Sequence, residues 1–187
     1  MLTTLARPAR QAWTAAEWRA FTKRCQIARN DLEVVVTRAV RVQGTNARLV
    51  DAGLKVMRQL RSAMTGLESL IISHDPGLAA DVMKIVHGKP GKPIKHDEMD
   101  RPFTRAEWVE IGNALKELRV RISQLGQDLQ SAKGASKSLV RQFHRAADLG
   151  TLRSRLDEFA RRQHPAWDQV SRLFYGALVS MSEDAES

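Results

Sequence analysis

Trp13-Thr14-Ala15-Ala16-Glu17-Trp18 returns ninety positions later as Phe103-Thr104-Arg105-Ala106-Glu107-Trp108. Each stretch carries the chemistry of a helix start. The threonine hydroxyl can accept from the backbone N–H three residues on, and the glutamate there can reach back to the threonine N–H. The aromatic before the cap and the tryptophan after it have the spacing of a hydrophobic staple. The register then holds without a gap: Arg29 meets Arg119, Gly44 meets Gly134, and Leu49-Val50 meets Leu139-Val140.

Beyond each cap the apolar residues recur with helical period. Trp18, Phe21, Cys25, Ala28, Leu32, Val35, Ala39 and Val42 step by threes and fours, and Trp108, Ile111, Leu115, Leu118, Ile122, Leu125, Leu129 and Ala132 repeat the steps. In the first copy Ala20, Ile27 and Val34 add a second stripe, which predicts a helix buried on more than one side. Gly44 and Gly134 suit a reversal after each seam. A second helix comes next, with Val50, Gly53, Met57, Leu60, Met64, Leu67 and Ile71 as the expected seam of the first copy. In the second copy Leu149-Gly150-Thr151 interrupts the pattern, which predicts a kink or restart at Gly150. Asp75-Pro76 and His164-Pro165 each open a shorter third helix.

These elements predict an all-α fold, a six-helix body of two tandem three-helix repeats (long, long, short). A pseudo-twofold relates the repeats, and the helices pack as antiparallel bundles. The expected divisions are a flexible arm over 1–12, helical repeat 1 over 13–88, a basic Pro/Gly linker over 89–102, helical repeat 2 over 103–181 and an acidic tail over 182–187.

Charge is the functional lead. The 187 residues hold 30 Lys plus Arg against 21 Asp plus Glu, a net charge of +9. From Arg19 to Arg61 there are ten basic residues and three acidic ones. Such an excess predicts attraction to polyanions, nucleic acid first. The candidate contacts to a nucleic-acid backbone are Arg19, Lys23, Arg24, Arg38 and Arg41 on the first helix. Arg48, Lys55, Arg58 and Arg61 follow on the second, and Lys89, Lys92 and Lys95 in the linker. In the second copy, Val109, Asn113, Ala114, Asp128 and Ser131 stand where the first has Arg19, Lys23, Arg24, Arg38 and Arg41. That divergence points to the first copy as the binding half. Exposed aromatics for base stacking are scarce, which disfavours a single-strand stacking platform.

Other chemistry finds little footing. The five histidines form no HxxxH or HExxH pair, so no metal or cofactor is expected. No glycine-rich phosphate loop or nucleophile–base spacing is present, and no catalytic residue is expected. Cys25 falls on the seam as a packed thiol, and a lone cysteine suits a reducing, cytoplasmic setting. No apolar run is long enough for a membrane span. The expected partners are nucleic acid and other protein subunits, with a homo-oligomer also open.

In architecture and charge alone, the chain is similar to the small helical subunits of RNA-guided defence complexes. Phosphate-signalling regulators built from tandem three-helix repeats are a second architectural likeness, but the repeated acidic motif is missing here. The function expected is a non-enzymatic basic protein that binds nucleic-acid backbone within a nucleoprotein assembly. The alternatives are a helical scaffold or adaptor, and a regulator of a membrane or phosphate-signalling system.

Overall fold

The computed structural model describes residues 10–88 and 101–164. The linker lysines Lys89, Lys92 and Lys95, the helix expected to open at Pro165 and the acidic tail lie outside the described residues.

Helix α1 spans Ala15–Val40 and α2 spans Ala47–His74. A 3-10 turn at Pro76–Leu78 leads into α3, Ala79–Val86. Helix α4 spans Arg105–Gln130, α5 Lys137–Ala146 and α6 Gly150–Gln163. The expected second helix of the second copy is thus two helices, with Ala147, Asp148 and Leu149 as the break and Gly150 as the restart. Among the described residues no helix is long and apolar enough to cross a membrane.

The two long starts are built alike. Thr14 and Thr104 have the same backbone angles (φ −71°, ψ 163°), and both capping boxes are closed. The Thr14 N–H donates to Glu17 Oε2 at 2.7 Å, and the Thr104 N–H donates to Glu107 Oε2 at 2.8 Å. Trp13 sits 4.7 Å from Trp18, and Phe103 sits 5.0 Å from Trp108, ring centre to ring centre. Both reversals need a glycine, because Gly44 (φ 82°) and Gly134 (φ 91°) adopt a backbone where a Cβ is strained.

Helices α1 and α4 run antiparallel, as their cross-pairs show. Arg24 meets Asp128, Arg121 meets Asp31, and Arg38 meets Glu110. Helix α2 lies antiparallel to α1, with Gly53 against Val36 and Val40, and α5 lies antiparallel to α4, with Gly126 against Phe143 and His144. Gly66 of α2 faces Leu139 and Gln142 of α5. The result is a bundle in which α3 covers α1 and α2, and one hydrophobic cluster runs through both halves.

All eight expected seam residues from Trp108 to Ala132 are buried, seven of them on α4. Helix α1 departs from expectation at two points. Val36 rather than Val35 is buried, and the stripe Ala20, Ile27, Val34 faces outward, with Ile27 46% exposed. A straight helix turns about 20° past a seven-residue repeat in each heptad, so the buried line drifts. In α2 the buried line likewise runs through Leu49, Ala52, Val56 and Ala63, leaving Val50 and Met57 only half-buried.

The N-terminal stretch also differs from a free arm at its end. The Gln11 N–H donates to the Ser131 carbonyl at 2.9 Å, and the Lys133 N–H donates to the Gln11 carbonyl at 2.8 Å. Gln11 is therefore a one-residue strand laid along the Gly134 reversal.

Candidate polyanion-binding surface

Among the expected contact residues of the first helix, Arg19, Arg24 and Arg38 meet acids. Arg19 pairs with Asp81 of α3 at 3.0 Å. Arg24 pairs with Asp128 at 2.8 Å, its guanidinium 5.3 Å from the centre of the Phe21 ring. Arg38 pairs with Glu110 at 3.1 Å and lies over Phe103. A cation held by a carboxylate and an aromatic face has part of its charge already answered. Lys23 is exposed and lines an open groove between α1 and α3 with Arg19 and Lys84. Arg41 is exposed just past the end of α1.

The cations of α2 have different surroundings. Arg48 lines an opening of about 290 Å³ together with Arg155, Glu158 and Arg162. Glu158 there pairs with Arg155 and Arg162. Arg61 turns to the α1–α2 groove beside Arg29 and Glu33. Lys55 and Arg58 are exposed. The cations of α1 and α2 thus stand in several separate groups.

Arg29 serves the fold. Its Nη2 donates to the Gly88 carbonyl at 2.6 Å and its Nη1 to the Val86 carbonyl, so a cation closes the C-terminal end of α3. Partial burial lowers its guanidinium pKa from the ordinary value. Cys25 is fully enclosed, and desolvation pushes its thiol far above the range in which a thiolate forms. Among the described residues, no group of three or more His, Cys, Asp or Glu side chains could hold a metal ion.

A cationic opening without acids on its wall lies elsewhere, between α4 and α5. It has a volume of about 530 Å³, and Arg10, Lys137, Arg141 and His144 stand on its wall with no carboxylate among the lining residues. Ser136 caps α5 beside it, accepting from the Leu139 N–H at 3.0 Å. The Gln11 bridge brings Arg10 here, where its Nη1 donates to the Ala135 carbonyl at 3.2 Å. Arg141 Nε donates to the Lys137 carbonyl at 3.3 Å. Among the described residues, no carboxylate pairs with Arg10, Lys137 or Arg141.

Sequence reasoning did not single out this opening. A signal was available: Lys133, Lys137, Arg141 and Arg145 recur every fourth residue with no acid between them. Residues four apart share a helix face. The arrival of Arg10 had no such signal, because it depends on a backbone bridge across the fold. Comparison with protein-family models, with curated proteins and with solved structures returned no match.

Proposed function

We propose that this is a non-enzymatic protein that binds the backbone of nucleic acid, as one subunit of a nucleoprotein assembly. The observation that carries the reading is the α4–α5 opening, where Arg10, Lys137 and Arg141 stand together without a carboxylate. Cations left without acidic partners are the groups that exchange counterions for phosphates, and such binding weakens steeply with salt. Lys23, Lys55 and Arg58 extend the attraction over other faces. Arg24 and Arg38 are assigned to the contact between α1 and α4 instead. We further read the chain as two tandem units related by a pseudo-twofold. The matching caps and reversals support this, as does Asp31 meeting Arg121, its own counterpart ninety residues on.

Mobility-shift titration with duplex DNA, single-stranded DNA and RNA at two salt concentrations tests the reading. Binding that weakens as salt rises is expected. No binding at low salt to any of the three would overturn it. A second reading, a helical adaptor, has one observation in its favour. Ala20, Ile27 and Val34 form an exposed apolar stripe on α1. Light scattering that found only a monomer would count against self-association through that stripe.

A further inference from the structure

We propose that the α4–α5 groove holds one nucleotide of a single-stranded nucleic acid, a proposal that rests on the nucleic-acid reading above. The phosphate lies against Arg10, Lys137 and Arg141, and the base lies against Val140 and His144. Gln127 and Gln130 face the base edge.

Four features separate this site from a general basic patch. The first is shape. A volume of about 530 Å³ falls within the ~300–1,000 Å³ usual for pockets that enclose a small ligand. A duplex keeps its bases stacked inside and offers a cleft of this kind only its outer phosphates. A single strand can turn a nucleotide out and seat it.

The second feature is the mix of groups. A phosphate needs donors only, and the two guanidinium groups with the lysine ammonium supply them. The groove also holds the side chains of Gln127 and Gln130. Each carboxamide offers both a donor and an acceptor, which is the pattern a base edge presents and a phosphate does not.

The third is a flat surface placed by a glycine. Gly126 of α4 has no side chain, and even a methyl there would lie 3.2 Å from His144 Cε1. The imidazole is therefore set close against α4, next to Val140 on the groove wall. The half-buried imidazole offers part of its ring to the groove, and a planar ring is a surface on which any base can stack.

The fourth is preorganisation. Arg10 does not reach the groove on a free arm, because Gln11 is bonded in both directions to the reversal. An ordered cation loses less freedom on binding. The other half has no equivalent, since Ala47, Asp51 and Leu54 stand where Lys137, Arg141 and His144 do.

The test is fluorescence anisotropy with a short labelled single strand, the same strand paired as a duplex, and an abasic version that keeps every phosphate. The single strand should bind the full-length protein at least about tenfold more tightly than the duplex. Removing the bases should cost at least about fivefold in Kd, the low end of what base stacking supplies. The double variant Lys137→Ala/Arg141→Ala should bind the single strand about tenfold more weakly. Its salt dependence should also be shallower, by roughly 0.7 for each phosphate no longer neutralised. The milder Arg141→Gln, checked by circular dichroism, serves where the double variant does not fold. Arg119→Ala, an exposed residue of α4 outside the groove lining, should change Kd by less than about threefold, because salt screens cations distant from the strand. An abasic strand that binds as well as the natural one overturns the nucleotide site, as does a duplex bound equally well. Wild-type binding that ignores the groove variants overturns the site and leaves the backbone reading standing. Failure of the wild type to bind any strand at low salt overturns both.

Discussion

The contact between α1 and α2 and the contact between α4 and α5 reach the same closeness with opposite residues. In the first, the glycine is Gly53 on the second helix, and Val36 and Val40 of the first helix fill the space above it. In the second, the glycine is Gly126 on the first helix, and Phe143 of the second helix fills it. Position 126 is ninety beyond Val36, and position 143 is ninety beyond Gly53. A helix pair of given spacing needs a certain summed volume at the crossing, and either partner can carry it. What two similar halves hold in common is thus the filled space, and residue-by-residue identity understates their likeness.

The charges teach the converse. Arg24 and Arg38 differ from their counterparts Ala114 and Asp128, and that difference first suggests a binding face. Asp128 is in fact the partner of Arg24, and Arg38 finds Glu107 and Glu110. Part of the divergence between the halves is what joins them.

Four sets of substitutions would break or sharpen the comparison. The largest effect is expected at the paired tryptophans. Trp108 is fully enclosed and its Nε1 donates to Gln163 Oε1 at 3.1 Å, while Trp18 stacks beside His74. Replacing either with Ala should cost about 3–5 kcal/mol by deletion of a buried aromatic. Denaturant unfolding should stay a single transition in both variants, since one core spans the halves. Separate transitions would show two independent lobes.

Next come the reversals. Gly44→Ala meets only ordinary van der Waals contact, with Phe159 Cζ 3.8 Å away, and should cost about 1–2 kcal/mol of left-handed strain. Gly134→Ala bears the same strain and also drives its methyl into the His74 imidazole. Its midpoint of urea unfolding should fall further, and equal losses would contradict the packing of His74 on this turn.

Gly53→Ala should follow. Its methyl would lie 2.7 Å from Val36 Cγ1 and 2.9 Å from Val40 Cγ1, and valines in a helix keep one rotamer. Overpacking of about 1–3 kcal/mol is offset by about 1 kcal/mol of helix propensity. Adding Val36→Ala should recover part of the loss. A double-mutant cycle with no coupling would dismiss the crossing as the cause.

The smallest effect separates the two capping boxes by pH. Hydrogen bonds from Arg101 lead in lowering the Glu107 carboxyl to about 2, with the Thr104 N–H and hydroxyl adding to them. Glu17 is lowered by Thr14 alone. A depressed carboxyl stabilises the fold above its ordinary 4.5, and that stability is lost as pH falls from 4.5 toward 2. Glu107→Gln should therefore flatten the acid limb of stability more than Glu17→Gln, read as urea midpoints from pH 5 to pH 2.

The elements legible in the sequence are those whose causes are local. A threonine, a glutamate three residues on and two aromatics define a helix start within six positions, and a glycine marks each reversal. The α4 seam was legible for the same reason, since its apolar residues are large and unbroken. The facing of α1 was not, because Val35 and Val36 are equally apolar and only the slow turn of the helix against its neighbours decides between them. The site was the least legible part. Lys137 and Arg141 announce a cationic helix face, but Arg10 lies 127 positions before Lys137. Arg24 and Arg38 also meet carboxylates across the helix contact, which only the third dimension reveals.

Asp31 and Arg121 have one more consequence. If two identical units came together about a twofold axis, a residue on that axis would meet its own copy. A charge there would repel itself, so a symmetric pair is confined to residues that tolerate self-encounter. On the proposed reading of the chain as two tandem units, the two positions are free to differ, and they are an acid and a base 2.7 Å apart. Joining two such units releases the axis from symmetry, and complementary residues can then arise where identical ones would have been excluded.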